Sequence, residues 1–193
     1  MIKQYKGFKA KICSGFEELP TGGYVCKIMD ALVVENPNGG ERLEVSIDIA
    51  EGEHKGYYRE QYRNDTRDEK KWSGVFTLFI PVEDGSEKDS WSIKTFNNFI
   101  GCLENDNPSY HYDSDESKMK NLTLALVFRK EEYKKNDGDY AWKVKPFKAI
   151  TVEDCRNGKW GKYDDKPVKN KPAESASFTS AFSSVDDDSG LPF

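Results

Sequence analysis

The sequence predicts a mainly β domain with one helix, followed by a polar C-terminal tail. Five stretches have the apolar patterns of strands, one has helical spacing, and the last residues include few that could fill a core. With 193 residues, the chain has the length of one domain and an extension. Hydrophobic residues make up only 36% of it and charged residues 33%, so we expect part of the chain to stay outside the core.

The first two strands form a predicted hairpin in the N-terminal half. Residues 24–35 are rich in β-forming side chains, and residues 36–40 (Asn-Pro-Asn-Gly-Gly) tolerate the positive φ of a turn. Residues 42–50 alternate apolar and polar side chains, which is the period of a half-buried strand. A short apolar run follows at residues 72–82. Periodicity does not separate a buried strand from a short helix there, and we favour a strand.

A helix is predicted next, followed by a second hairpin. The helix has apolar residues at i, i+3, i+4 and i+7, namely Phe96, Phe99, Ile100 and Leu103. Asp89 or Ser90 can cap its start, and Asn107 and Pro108 lie beyond its end. Apolar residues alternate again over residues 122–128 and from Tyr140 towards Val152, on either side of a turn at residues 136–138.

This order of elements places the helix between strands three and four. A five-stranded OB-fold-like barrel requires that order, although an α+β sheet with one helix has the same pattern. We favour the barrel, with a domain over residues 1–165. Residues 166–193 then form a disordered linker and an acidic tip.

Several classes of protein are excluded by composition. No run approaches 20 consecutive apolar residues and the start has no apolar stretch of signal-peptide length, so we expect no membrane association and a cytoplasmic location. Four widely spaced cysteines and two histidines provide neither a zinc site nor a redox pair, so we expect no metal and no cofactor. We interpret Cys13, Cys26, Cys102 and Cys155 as small buried apolar residues.

The net charge of −5 hides a segregation of charge along the chain. Residues 118–148 contain nine basic and four acidic side chains, whereas residues 83–117 contain two basic and nine acidic ones. Such segregation can create a basic groove on a nearly neutral body, and simple solvated faces are the alternative.

Two stretches interleave basic and aromatic residues, a pattern typical of proteins that bind single-stranded nucleic acid. The first includes Lys55, Tyr57, Tyr58, Arg59, Tyr62, Arg63 and Trp72. The second includes Arg129, Lys130, Tyr133, Lys134, Lys135, Lys143 and Lys145. We expect Tyr57, Tyr58, Tyr62 and Tyr133 to stack on bases and Trp142 to pack in the core. Both stretches border the same face of an OB barrel, so they can form one groove.

The last eight residues combine charge with an apolar end. Three adjacent aspartates favour an extended segment, and the terminal Leu-Pro-Phe suits a small apolar pocket edged by Arg or Lys on another protein. The predicted partner-binding residues are Asp186, Asp187, Asp188, Leu191, Pro192 and Phe193.

This ending resembles the acidic tip of bacterial single-stranded DNA-binding proteins, with Ser189 and Gly190 inserted between the aspartates and the apolar residues. The arrangement of barrel, linker and tip is also similar to that of single-stranded DNA-binding proteins of bacteriophages and mobile elements. Residues 96–100 and 130–133 look similar to segments of phage proteins thought to have that role. The resemblance implies sequence-independent DNA binding in phage replication and recombination within a bacterial host cell. It also implies a tip that recruits partner enzymes and competes with DNA for the groove.

Two other functions remain open at this point. A metal-dependent nuclease could use Glu53 and Lys55 with Asp48 and Asp30, but similar patterns recur by chance in so charged a chain. A protein adaptor without DNA binding would explain the tip and leave the basic and aromatic stretches without a role. No phosphate loop or nucleophile elbow is present, so we expect no enzyme and no catalytic residue. The oligomeric state is left open, a homo-oligomer included.

Overall fold

A computed structural model describes residues 18–36 and 39–168. These residues contain one antiparallel sheet, formed by β1 (Gly22–Glu35), β2 (Glu41–Ile49), β3 (Val75–Phe79), β4 (Thr123–Lys134) and β5 (Tyr140–Ile150). Its strand order is β3-β2-β1-β4-β5. All five predicted strands are confirmed, including the one proposed for the apolar run at residues 72–82.

The sheet is an OB-like barrel left open along one seam. A register shift between Ile28 and Asp30 marks an irregularity in β1, which pairs with β4 through its first residues and with β2 along the rest. Cα atoms of the two edge strands, β3 and β5, approach within 8 Å, but the described sheet has no hydrogen-bonded ladder between them. The partly open barrel is the form that the OB fold takes, and the described sheet therefore favours it over a flat α+β sheet.

The described chain also contains α1 (Tyr57–Asn64), α2 (Glu87–Asp106), α3 (Val152–Arg156) and a short 3-10 turn at Glu116–Met119. As predicted, α2 lies between β3 and β4. It starts earlier than expected, because the capping residue is Ser86, whose hydroxyl accepts a hydrogen bond from the Asp89 amide at 3.1 Å. The Asp89 carboxylate instead accepts from the backbone N–H of Val82 at 2.8 Å.

Two apolar clusters stabilise the fold. The main one fills the barrel and includes Phe76 from β3, Phe99 from α2 and Phe128 from β4. The second lies on the opposite face of β1, β4 and β5 and is joined by Trp160. A Cβ on Gly23 would lie 2.6 Å from Cε3 of Trp160, so the missing side chain at Gly23 lets the indole approach the sheet.

The segment after α3, residues 157–168, lies along β4 and is called the strap here. The Lys166 N–H donates to the carbonyl of Lys130 and its carbonyl accepts from the Glu132 N–H, both at 2.9 Å. The Val168 N–H then donates to the Glu132 carboxylate at 3.2 Å. Contacts with the body therefore continue past residue 165. The predicted linker beyond Val168 and the acidic tip lie outside the described residues.

The cysteines of the described chain are unpaired and buried, as expected for Cys26, Cys102 and Cys155. Cys13 lies outside the described residues. Over residues 18–36 and 39–168, no helix combines the length and apolar character needed to cross a bilayer.

Candidate nucleic-acid interface

Helix α1 is held on the barrel by a buried carboxylate and a buried ring. Its capping position is Gly56, which has no side chain, so Asp48 on β2 takes over part of the capping role. The Asp48 carboxylate accepts hydrogen bonds from the backbone N–H of Tyr58 at 3.1 Å and of Ile49 at 3.0 Å. The Tyr58 ring packs over Gly74, where an added Cβ would lie 2.5 Å from the ring. These contacts fix the orientation of α1.

This arrangement corrects the role expected for Tyr58. Tyr58 was expected to stack on bases, but its side chain is only 3% exposed and belongs to the main core. Tyr62, one helical turn later, lies beyond the edge of the core and is 40% exposed. Its ring centroid is 5.8 Å from that of Trp72, whose indole N–H donates to the carbonyls of Ile47 and Gly74. The anchored Trp72 ring therefore lies beside Tyr62, tilted by 46° to it.

Two adjoining depressions lie between α1 with the loop after it and the β4–β5 hairpin. The smaller, of about 210 Å³, is lined by Glu18, Leu19, Tyr57, Tyr58, Gln61, Trp142, Lys143 and Val144. The larger, of about 440 Å³, is lined by Gln61, Tyr62, Asn64, Asp65, Thr66, Arg67, Lys71, Ser73, Tyr133 and Lys143. Gln61 and Lys143 line both depressions, and the two together are called the groove here.

The groove brings together aromatic rings from distant parts of the sequence. Tyr57 and Tyr62 come from α1, whereas Tyr133 and Trp142 come from the hairpin. Lys145 places its ammonium 5.7 Å from the centroid of the Tyr133 ring. A planar ligand such as a nucleobase can stack on aromatic rings of this kind, and lysine side chains lie next to them.

Trp142 was expected in the core and is instead 44% exposed. The prediction that Trp142 shares a face of β5 with a core residue was correct, since Val144 on the same face is buried. Towards the turn, however, the strand partner of Trp142 is Glu132, and most of this end of the hairpin is only partly buried. This face of β5 is therefore covered by the core at Val144 and exposed to solvent at Trp142.

Positive charge is concentrated around Lys143. Burial lowers the pKa of its ammonium, and the nearby charges of Lys145 and Arg67 lower that pKa further. Arg67 is paired with Asp65, at 2.6 Å between Nη2 and Oδ2. Its guanidinium lowers the pKa of that carboxyl to about 2. The lining of the groove contains three basic side chains (Arg67, Lys71 and Lys143) and two acidic ones (Glu18 and Asp65), and the net charge of +1 would favour an anionic ligand.

The remaining predicted basic residues lie around the groove or away from it. Lys55, Arg59, Arg63, Lys134 and Lys135 are exposed, and Lys130 is partly buried. Arg59 also lies 3.5 Å from the Asp48 carboxylate. Arg129 lines neither depression; it stacks 4.2 Å from the Phe147 ring centroid and pairs with Glu131 at 2.9 Å. Arg129 therefore does not belong to the groove.

The polar lining of the groove, in particular Gln61, Asn64 and Ser73, was not predicted from the sequence. Tyr57, Gln61 and Asn64 have the i, i+4, i+7 spacing of one helix face. Treating residues 57–64 as a helix would therefore have predicted that these side chains share a face.

The carboxylates considered for a nuclease do not converge. Asp48 is buried and is used in holding α1. Asp30 is opposite Ser46 in the sheet and lies 3.6 Å from the Lys120 ammonium, whereas Glu53 is exposed in the turn before α1. Within the described ranges, no group of three or more His, Cys, Asp or Glu side chains is arranged to hold a metal ion.

The fold and the groove define an OB-like barrel with an aromatic and basic depression beside its last hairpin. A comparison with protein-family models finds no match, and a comparison with curated proteins finds no relative.

Proposed function

We propose that the protein binds single-stranded DNA in this groove without requiring a particular sequence. The observation that carries the proposal is the meeting of two sequence-distant basic and aromatic stretches in one groove. Exposed Tyr62 and Tyr133 would stack on bases, and Lys71, Lys143 and Lys145 would neutralise phosphates. Bases paired inside a duplex offer no free face to these rings, so the groove would favour single strands.

The proposal extends to the chain terminus. Residues 186–193 would recruit replication or recombination enzymes, as the acidic and apolar ending suggests. The support is the sequence of the tip together with its resemblance to the tips of bacterial single-stranded DNA-binding proteins. In this division of labour, the barrel holds the strand and the tip holds the enzyme, with no catalysis by the chain itself.

Titration with oligo(dT) tests DNA binding, because Trp142 lines the groove and its fluorescence should respond to a stacked base. The affinity should fall steeply with salt, with a log–log slope of about −0.7 for each phosphate neutralised. An absent or salt-independent response would refute the proposal. Removal of residues 186–193 should abolish enzyme recruitment and retain DNA binding.

A matched pair of variants localises the site. Tyr133 and Tyr163 are similarly exposed, at 38% and 40%, and each has a lysine ammonium over its ring, at 5.7 and 5.5 Å. Only Tyr133 lines the groove. Tyr133→Ala should weaken oligo(dT) binding by about tenfold or more, the loss of one stacked base, and Tyr163→Ala should not. Equal effects of the two substitutions would place the site elsewhere.

A further inference from the structure

The part of the chain that the structure describes starts at Glu18, in the lining of the groove. Leu19 is 2% exposed and packs in the main core, so it fixes the point at which the chain enters the fold. Glu18 and Leu19 both line the smaller depression. Residues 1–17 lie outside the described residues and are called the N-terminal segment here. Because residue 17 is bonded to Glu18, this segment is attached at the smaller depression.

The N-terminal segment interleaves basic and aromatic residues. Residues 1–16 contain four lysines and three aromatic residues but no Asp or Glu, although acidic residues outnumber basic ones over the whole chain, 34 to 29. Tyr5 and Phe8 stand among the lysines, which are Lys3, Lys6, Lys9 and Lys11. The two stretches that meet in the groove have the same kind of pattern, which is typical of contacts with single-stranded nucleic acid.

Covalent attachment limits how far these lysines can be from a strand in the groove. An extended chain spans at most about 3.6 Å per residue. Lys11 is therefore no more than about 25 Å from Glu18, and Lys3 no more than about 55 Å. A strand that binds in the groove is brought within this range of the lysines, so their contact with its phosphates becomes an intramolecular step.

The groove lining has only a small charge of its own. Its acidic and basic side chains sum to +1. Sequence-independent binding of nucleic acid depends mainly on neutralising phosphates. The N-terminal segment, with four lysines and Glu17, has a net charge of +3. The three basic side chains of the lining and the four lysines of the segment could then share the phosphates of one strand.

We propose that the N-terminal segment extends the groove as a second DNA-contacting element. Its four lysines neutralise phosphates of the strand that the groove holds, and Tyr5 and Phe8 stack on its bases. This assignment rests on the proposed function, since the segment and the groove bind the same strand. Basic segments also bind anionic membranes, but the attachment of this one at the groove favours the strand.

Salt titration of oligo(dT) binding by the full chain tests the phosphate contacts. The four lysines are replaced together, in the substitutions Lys3→Gln, Lys6→Gln, Lys9→Gln and Lys11→Gln. The log–log slope of affinity against salt should become shallower by about 0.7 for each lysine that neutralises a phosphate, and by about 2.8 if all four do. Replacing the same lysines by arginine keeps the charges and should keep the slope.

The matched control removes four charges elsewhere on the protein. Four exposed lysines that line neither depression are replaced, in the substitutions Lys27→Gln, Lys88→Gln, Lys94→Gln and Lys162→Gln. The two variants have the same net charge, so a general electrostatic effect would change both slopes equally. The control should instead keep the wild-type slope. Urea denaturation checks that both variants are folded.

The outcomes separate the segment from the groove. A slope that changes by less than about 0.7 in the segment variant overturns the inference, and so does an equal change in the control. Binding to phosphatidylserine vesicles that the segment variant loses, with its oligo(dT) slope unaltered, would assign the segment to a membrane and overturn the inference as well. If the wild-type chain does not bind oligo(dT), the proposed function itself fails. If Tyr133→Ala weakens binding and the segment variant keeps the wild-type slope, only the role of the segment is refuted.

Discussion

Gly74 lies at the point where α1 rests on the barrel, and replacing it with alanine tests how the groove is built. A Cβ at this position would lie 2.5 Å from two atoms of the Tyr58 ring and 2.6 Å from the carbonyl oxygen of Ile47. The optimal separation for such contacts is about 3.5 to 4.0 Å. The ring or the backbone must therefore move by roughly 1 Å to relieve the overlap.

Neither movement is free of cost. Gly74 accepts hydrogen bonds through its carbonyl from the Ile47 N–H at 2.8 Å and from the Trp72 indole at 3.1 Å, so a backbone shift strains both. A shift of Tyr58 instead lifts α1 away from its packing site. Overpacking of a core typically costs about 1 to 3 kcal/mol, and we expect Gly74→Ala to lower the free energy of unfolding by about 3 kcal/mol.

Urea denaturation followed by circular dichroism measures this loss. Gly101→Ala is the matched control, because Gly101 lies on the exposed side of α2 and an added Cβ meets nothing within 4 Å. Alanine forms helices better than glycine, so Gly101→Ala should raise the free energy of unfolding by about 0.5 to 1 kcal/mol. Gly74→Ala should also weaken oligo(dT) binding, because α1 carries Tyr62 into the groove. A Gly74→Ala protein as stable as the wild type would refute the packing argument.

Three further predictions concern charge. Asp48→Ala should lower the free energy of unfolding by about 1 to 2 kcal/mol because α1 loses its capping acceptor. Asp48→Asn, which keeps an acceptor oxygen, should lower it by less in the same urea assay. Equal losses in the two variants would contradict the capping role. Asp65→Asn should tighten oligo(dT) binding by about two- to fivefold at low salt by freeing Arg67, and weaker binding would contradict this. Burial raises the pKa of Cys102 and Cys155 from 9.0 to about 11, so the folded state retains these protons. Stability should hold below about pH 9 and fall towards pH 11, and a flat urea profile over that range would disprove it.

The strands were predictable because their information is local. Residues 42–50 alternate cleanly, and the Asn-Asp-Gly turn at 136–138 specifies the second hairpin without help from the rest of the chain. Helix α1 is different, because its eight residues are mostly polar. It depends on a carboxylate nine residues before the helix and on the space above Gly74, ten residues after it. No local pattern contains either contact.

The candidate site was predictable as a region and not as a set of side chains. Periodicity tells which face of a strand or helix a residue occupies, but whether that face is covered depends on the neighbouring layer. Tyr58 and Trp142 therefore have the opposite exposures to those expected. Trp160 was missed for the same reason, since its packing site exists only because Gly23, far away in the sequence, leaves room for it.

The strap has a consequence for how the protein can be shortened. Because β1 begins opposite Phe128, the N–H and carbonyl groups of β4 beyond that residue would form an open edge, and Lys166 occupies part of it. A fragment ending at Arg156 would expose this edge together with the apolar cluster that Trp160 covers. Such an edge is a template for strand addition by a second copy, so the fragment should self-associate. Soluble truncations should therefore extend at least to Val168.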